Sequence, residues 1–226
     1  MMRVHTDWLL TAQRVAIHVP TATTVVADLH LGYNDCRRRS GEAVPSAALD
    51  DQLKPLGNAL KKHGSRRLVI AGDLFEAGFV TDLMKEFRHW LADVGIALTA
   101  LVPGNHDRGL DGAWPLYPKG FRLGSWHIVH GNEKIGPGPV VHGHVHPALR
   151  SQGHKFPCFL VARGRLVLPA YSTDAAGVNV ANDRTWQGFR CCAIRTGRVI
   201  DFGQIALAKS NPPILPKLPR LKPAAK

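Results

Sequence analysis

Three imidazoles fall within five residues at His142, His144 and His146, with Gly143 between the first two. On an extended chain, alternate side chains point the same way, so His144 and His146 can converge on one point. Gly143 allows the backbone to turn sharply there. Neutral imidazole is a common ligand of zinc, iron, manganese and nickel, although taken alone the stretch reads as readily as a solvated polar loop. Four more fragments carry groups of the same kind: Asp28-x-His30, Gly72-Asp73, Gly104-Asn105-His106-Asp107 and His130-Gly131. Each is weak singly. Together, Asp28, Asp73 and Asn105 with His30, His130, His144 and His146 offer an oxygen and nitrogen donor set suited to a pair of first-row divalent ions. A single carboxylate, Asp73, can bridge two ions about 3.5–4 Å apart, the spacing that phosphoester chemistry uses.

Positioning these groups requires strands that deliver them at their ends. Thr23 to Ala27 is a β-branched run leading into Asp28. Arg66 to Ala71 leads into Gly72-Asp73, and Ile96 to Val102 into the Pro103–Asp107 segment. Ser125 to Gly131 and Pro139 to Val141 read as the strands before His130 and the histidine cluster. The first twenty residues contain a hairpin over 8–19 that turns near Thr11-Ala12-Gln13. Between the early strands lie an Arg-rich loop (Arg37 to Gly41), a helix from an Ser46 N-cap to about His63, and a helix over Thr81 to Asp93. The second helix carries Leu83, Met84, Phe87, Trp90 and Leu91 at helical spacing. Pro55 predicts a kink or break in the first. Two hairpins follow, turning at Arg163-Gly164 and Thr196-Gly197, separated by a long polar stretch from Pro169 to Gly188. Alternation of strand and helix predicts a layered α/β protein whose ligands gather at the carboxyl ends of strands.

The chain has 226 residues, 45% hydrophobic and 20% charged, as expected of a globular domain. Its formal net charge is +12, which favours contact with a polyanion, nucleic acid first. We expect one domain over residues 1–208 and a basic, proline-rich, disordered tail over 209–226. Without the tail's five cations the body keeps +7. Cys36, Cys158, Cys191 and Cys192 form no C-x-x-C pair and read as reduced packing residues. No signal-peptide core and no membrane-spanning apolar run is visible, so a cytoplasmic protein is expected.

The polar fragments resemble those of the calcineurin-like metallophosphoesterase superfamily from Asp28 to His146. That resemblance implies a layered α/β/β/α sandwich of two mixed sheets flanked by helices. It further implies one metal on Asp28, His30, Asp73 and His146, a second on Asp73, Asn105, His130 and His144, and His106 as the catalytic histidine. A narrower similarity covers most of the chain. Val26-Ala27-Asp28-Leu29-His30-Leu31-Gly32, Arg38-Arg39-x-Gly41 with Pro45, and Gly143-His144-Val145-His146-Pro147 resemble the bacterial DNA-ligase-associated metallophosphoesterases. So do Pro157-Cys158-Phe159-Leu160 and Leu166 to Tyr171. This group implies a nuclease-like phosphodiesterase, working with a DNA ligase and a helicase in DNA repair. Tyr33 stands where the group usually has lysine, and His142 is an additional histidine.

The chemistry expected of such a site is hydrolysis. Two divalent ions, manganese by preference and iron, zinc or nickel as alternatives, acidify a water for in-line attack on phosphorus. His106 is suited to protonate the leaving oxygen, since histidine ordinarily titrates near 6.5. Glu76 stands where related phosphatases carry an orienting aspartate, and Asp107 is its rival, with a loop cap as its structural role. Arg38, Arg39 and Arg108 are candidate phosphate clamps, set against a role as solvated surface charge. His142 is a candidate supporter of the ligands. His127 should face away from His130. The competing readings are a nucleotide or lipid pyrophosphatase of the same superfamily, and a basic nucleic-acid-binding subunit that has lost catalysis.

Overall fold

The computed structural model describes residues 1–77, 81–110, 114–151, 153–181 and 183–206. The expected tail over 209–226 lies outside the described residues. The first sheet contains β1 (Met2–Val4), β2 (Trp8–Leu10), β3 (Ala16–His18), β4 (Thr23–Val26), β5 (Arg67–Ala71) and β6 (Ala97–Val102), side by side in chain order. Strands β1 to β4 pair antiparallel, whereas β4, β5 and β6 are parallel. Parallel neighbours need a crossover. Helices α1 (Tyr33–Arg39) and α2 (Leu49–Lys62) lie in the β4–β5 connection, and α3 (Thr81–Asp93) lies in the β5–β6 connection.

The second sheet is built from β7 (Phe121–Leu123), β8 (Trp126–Val129), β9 (Val140–His142), β10 (Pro147–Ser151), β11 (His154–Ala162), β12 (Arg165–Val167), β13 (Val178–Asn179), β14 (Arg190–Arg195) and β15 (Arg198–Gln204). It is also mixed: β9 lies parallel to both β8 and β12, while β11–β12 and β14–β15 are the two antiparallel hairpins expected from the sequence.

Side-chain alternation along β5 shows how the layers stack. Leu68 and Ile70 join α2 and α3 residues in one core, while Val69 and Ala71 meet the second sheet's Ile128, Val141 and Phe159 in another. A strand buried on both faces reads as an uninterrupted apolar run, as Leu68 to Ala71 does. On the outer face of the second sheet a third core gathers Cys158, Leu160, Val167 and Cys191 beneath Val180, Trp186 and Ile205. Cys191 and Cys192 go to opposite faces of β14, the latter into the inter-sheet core. The architecture is therefore the expected sandwich of two mixed sheets with helices on the outer face of the first; on the outer face of the second, where a further helical layer was expected, the described residues contribute a 3-10 turn (Arg184–Trp186) instead.

The Arg-rich segment is helical rather than a loop: α1 ends in Arg37, Arg38 and Arg39 after starting beside Asp35, a distribution that suits the helix dipole. None of its residues is buried, so no apolar period betrays it in the sequence. Helix α2 begins after Ala48, not Ser46, and has no side-chain N-cap bond. It runs on through Pro55. Proline clashes with the carbonyl four residues before it and opens the ladder. At the adjacent link the Tyr171 hydroxyl inserts, donating to the Gln52 carbonyl (2.8 Å) and accepting from the Leu56 amide (3.1 Å). The hydroxyl thereby satisfies the carbonyl and the amide that would otherwise lack a partner where the ladder opens.

Candidate metal centre

The five polar fragments follow β4, β5, β6, β8 and β9, so two parallel sets of strands, one from each sheet, aim their carboxyl ends at one place. Backbone bonds lock the loops together. The Asp28 and His30 amides donate to the carbonyls of Gly72 (3.1 Å) and Asp73 (2.9 Å), and the Gly143 amide to the His130 carbonyl (3.0 Å). Hydrogen bonds also cross between the sheets here: the His144 amide donates to Asp28 Oδ2 (2.9 Å), and His130 Nδ1–H donates to the Ala71 carbonyl (3.3 Å).

Five of the candidate ligand residues hold positive φ, namely Asp28 (55°), His30 (48°), Asp73 (47°), His144 (67°) and His146 (50°). Residues other than glycine rarely adopt this left-handed region, and each instance costs on the order of 1–3 kcal/mol. The expectation of an extended His144–His146 segment is thereby corrected: the chain coils, and the two rings join different groups. Close packing also explains two glycines. A Cβ on Gly72 would sit 1.8 Å from His130 Nδ1, and one on Gly104 would sit 2.1 Å from Asp73 Oδ1.

The expected ligands fall into two groups, and among the described residues His30 also belongs to a third donor cluster with Glu76 and His106. In the first, His130 Nε2 lies 3.3 Å from Asp73 Oδ2, 3.1 Å from Asn105 Oδ1 and 3.1 Å from His144 Nδ1. In the second, His30 Nε2 and His146 Nε2 are 3.3 Å apart, and His146 Nε2 is 3.6 Å from Asp28 Oδ2. Asp73 Oδ2 reaches this group as well, 4.0 Å from His30 Nε2, so one oxygen faces both. The donor set fits divalent cations. Because His130 Nδ1–H is spent on a carbonyl, the neutral ring presents its Nε2 lone pair towards the acceptor oxygens of Asp73 and Asn105. A cation placed between them would reconcile these acceptors. Asp28 Oδ1 is buried and has no hydrogen-bond donor, and isolated buried carboxylates are costly.

The protonation behaviour without metal follows. Burial pushes the His30 imidazole down to about 4, and burial likewise lowers His144 and His146, leaving neutral rings with free lone pairs. His130 moves the other way: burial disfavours its charge, but the bond to Asp73 and the nearby carboxylates outweigh burial and raise it. Burial lifts Asp28 well above the usual carboxylate range, whereas at Asp73 the bonds from His130 and the His106 amide overcome burial and hold it below.

Beside both groups lies His106. Its amide donates to Asp73 Oδ1 (2.9 Å), and its Nδ1–H donates to the Glu76 backbone carbonyl (2.6 Å). The expected carboxylate partner is corrected here: Glu76 holds His106 through its carbonyl, with the carboxylate 4.0 Å away. Glu76 Oε2 instead lies 2.7 Å from His30 Nδ1, near enough to pair, though not aligned as a hydrogen bond. Asp107 does not orient the ring; its carboxylate accepts from the amides of Gly104 (2.9 Å) and Phe75 (3.1 Å) and caps the loops. Arg38 pairs with Asp35 on its own helix, and Arg39 and Arg108 are exposed. His142 is buried and donates Nδ1–H to the Gly143 carbonyl (3.0 Å), with burial lowering it to about 4. His127 donates Nε2–H to the Lys119 carbonyl (3.0 Å).

The sequence reading missed the support from the polar stretch after Pro169. The Tyr171 and Ser172 amides donate to the carbonyls of Ala27 (2.9 Å) and Asp28 (3.1 Å), and the Ala176 backbone bonds His146. Arg14 in turn donates to the Ser172 carbonyl (2.7 Å) and the Tyr171 carbonyl (3.2 Å). Main-chain donors have no residue signature, so only an arginine preceding β3 could have hinted at this.

Carboxylates, an amide and imidazoles gathered at strand ends around a shared aspartate define a metal-dependent phosphoester hydrolase. The chain belongs to the calcineurin-like phosphoesterase family, whose profile matches residues 22–160. A solved structure, the Pseudomonas putida nuclease MPE, is similar with a TM-score of 0.70 and 22% sequence identity, covering 88% of this chain and 98% of that one. That likeness establishes the fold. No curated protein matches the chain. None of the helices among the described residues is long and apolar enough to cross a membrane.

Proposed function

We propose that the protein is a two-metal phosphodiesterase that cuts nucleic acid, with manganese as the working ion. The observation that carries this reading is the position of His106, half exposed (36%) and braced between Asp73 and Glu76 beside two donor groups that share one carboxylate oxygen. Asp28, His30, Asp73 and His146 would hold one ion, and Asp73, Asn105, His130 and His144 the other. A mixture of carboxylate, amide and imidazole donors suits manganese. When bound, such a pair supplies Lewis-acid polarisation of the phosphoryl oxygens and an acidified water.

The chain's own groups do the rest. The Glu76 carbonyl holds Nδ1–H of His106, so the ring keeps a set orientation; as an imidazolium it can pass the Nε2 proton to the leaving oxygen and remain as the neutral Nδ1–H ring. The His106 amide restrains Asp73, coupling the acid's position to that of the shared ligand. A net charge of +12 favours a long polyanion over a mononucleotide. Partnership with a ligase and a helicase, and a place in DNA repair, extend this proposal on the strength of the sequence resemblance alone.

The decisive experiment is a metal-replete assay against bis(p-nitrophenyl) phosphate, single- and double-stranded DNA, RNA and mononucleotides. Chelator-sensitive cleavage of polynucleotides is expected. His106→Ala should slow that cleavage by about 10²–10⁴-fold and affect bis(p-nitrophenyl) phosphate less, because nitrophenolate leaves without a proton. Preference for mononucleotides would overturn the substrate assignment, and absence of metal-dependent hydrolysis would overturn the enzyme.

A further inference from the structure

A cavity of about 400 Å³ opens beside the donor groups, with His130 and Gly104 in its wall. The end of β6, residues 118–120 and the β8–β9 connection complete it. Its volume is that of a small-ligand site, about 300–1,000 Å³, but such sites are mostly apolar. Here the charged side chains are Lys119, Lys134 and Glu133, all exposed, and Asn132 and His127 add further polar groups. Among the described residues no Phe, Tyr or Trp lines the cavity, the side chains on which bases commonly stack. A second cavity of about 410 Å³, lined by Leu29, Leu31, Pro55 and Tyr171, includes none of the metal-binding residues.

The walls are held in shape. Arg165 donates to the carbonyls of Gly136 (3.1 Å) and Gly138, pinning the β8–β9 connection that carries Lys134. His127 Nε2–H fixes the Lys119 carbonyl at 3.0 Å. Both lysines therefore rise from anchored backbone beside the metal centre.

The geometry points to this groove as the track of the phosphodiester backbone on one side of the cleaved bond, with Lys119 and Lys134 meeting its phosphates. The assignment rests on the nucleic-acid reading above. Lysine acts on phosphate as a point charge, and contacts to phosphate carry no sequence information directly. Cleavage along this track is therefore tolerant of base sequence and sensitive to salt. Glu133 opposes the strand and limits its affinity.

The test is steady-state cleavage of single-stranded DNA by the manganese-loaded protein, with an oligonucleotide of about twenty nucleotides at about 50 to 200 mM salt. Replacing both lysines (Lys119→Ala with Lys134→Ala) should raise KM with kcat nearly constant. It should also lower the salt slope of kcat/KM by about 0.7 per lost phosphate contact, and flatten the gain in kcat/KM with oligonucleotide length. Glu133→Gln should lower KM, a change that a folding defect cannot imitate. If the wild type cuts the oligonucleotide and neither variant shifts KM or slope, the groove assignment fails while the nuclease reading stands. If the wild type hydrolyses bis(p-nitrophenyl) phosphate but not the oligonucleotide, the nuclease reading fails and takes the groove with it.

Discussion

Gly104 shows how little room single residues have at this site. A methyl group there would overlap the Asp73 carboxylate at 2.1 Å, and Asp73 Oδ2 is the candidate ligand atom placed towards both donor groups. Misplacing a reacting group by about 1 Å can cost on the order of 10²-fold in rate. We therefore expect Gly104→Ala to lose at least that much hydrolysis of bis(p-nitrophenyl) phosphate. Bound manganese, measured by elemental analysis after gel filtration, should fall with it. Circular dichroism should remain that of the wild type, because Gly104 lies outside both sheets. That these five fragments could gather at one place was legible in the sequence because aspartate and histidine beside glycine stand out after β-branched runs. The partner of Glu76 was not legible. Its spacing from Asp73 matched an orienting carboxylate, but spacing cannot tell whether carbonyl or carboxylate meets His106, and the direction of the side chain across two loops decides it.

Among the elements, α2 and α3 carry the first core. Phe87 stacks on Trp90 and Trp114 at 6.0 and 6.1 Å and is fully buried. Phe87→Ala should cost about 3–5 kcal/mol in chemical denaturation. Helix α3 was legible to the residue because its apolar period is uninterrupted; α1 was hidden because it buries nothing. The link from Tyr171 to α2 makes a separate prediction. An unfolded tyrosine ionises near 10, while burial pushes Tyr171 up to about 12. The folded state thus holds its proton longer, and this contribution to stability is complete below pH about 10 and lost as pH rises towards about 12. Denaturant midpoints measured across that window should fall more steeply for the wild type than for Tyr171→Phe. Equal slopes would mean that the hydroxyl does not stay protonated within the helix.

At the scale of the whole molecule, the donor groups are divided between the sheets. Asp28, His30, Asp73 and Asn105 follow strands of the first, and His130, His144 and His146 follow strands of the second. A cation held among them ties the two layers together, and a ligand that binds only the folded state stabilises it by mass action. Chelation should therefore lower the melting temperature measured by calorimetry. Addition of excess manganese should restore it, and Asp73→Asn should blunt the response. This division was only half legible: strand and helix alternation identified the first sheet and its loops, whereas β1 and β7 have only three residues each, and β10 opens on a proline and carries no β-branched residue to announce it. It also has a consequence for synthesis. A chain emerging from the ribosome presents every donor of the first sheet before His130 has been made. A half-finished molecule therefore passes the ribosome's own RNA with only part of the set, and the proposed cutting activity arises only after the last imidazoles have been translated and the second sheet has closed over the first.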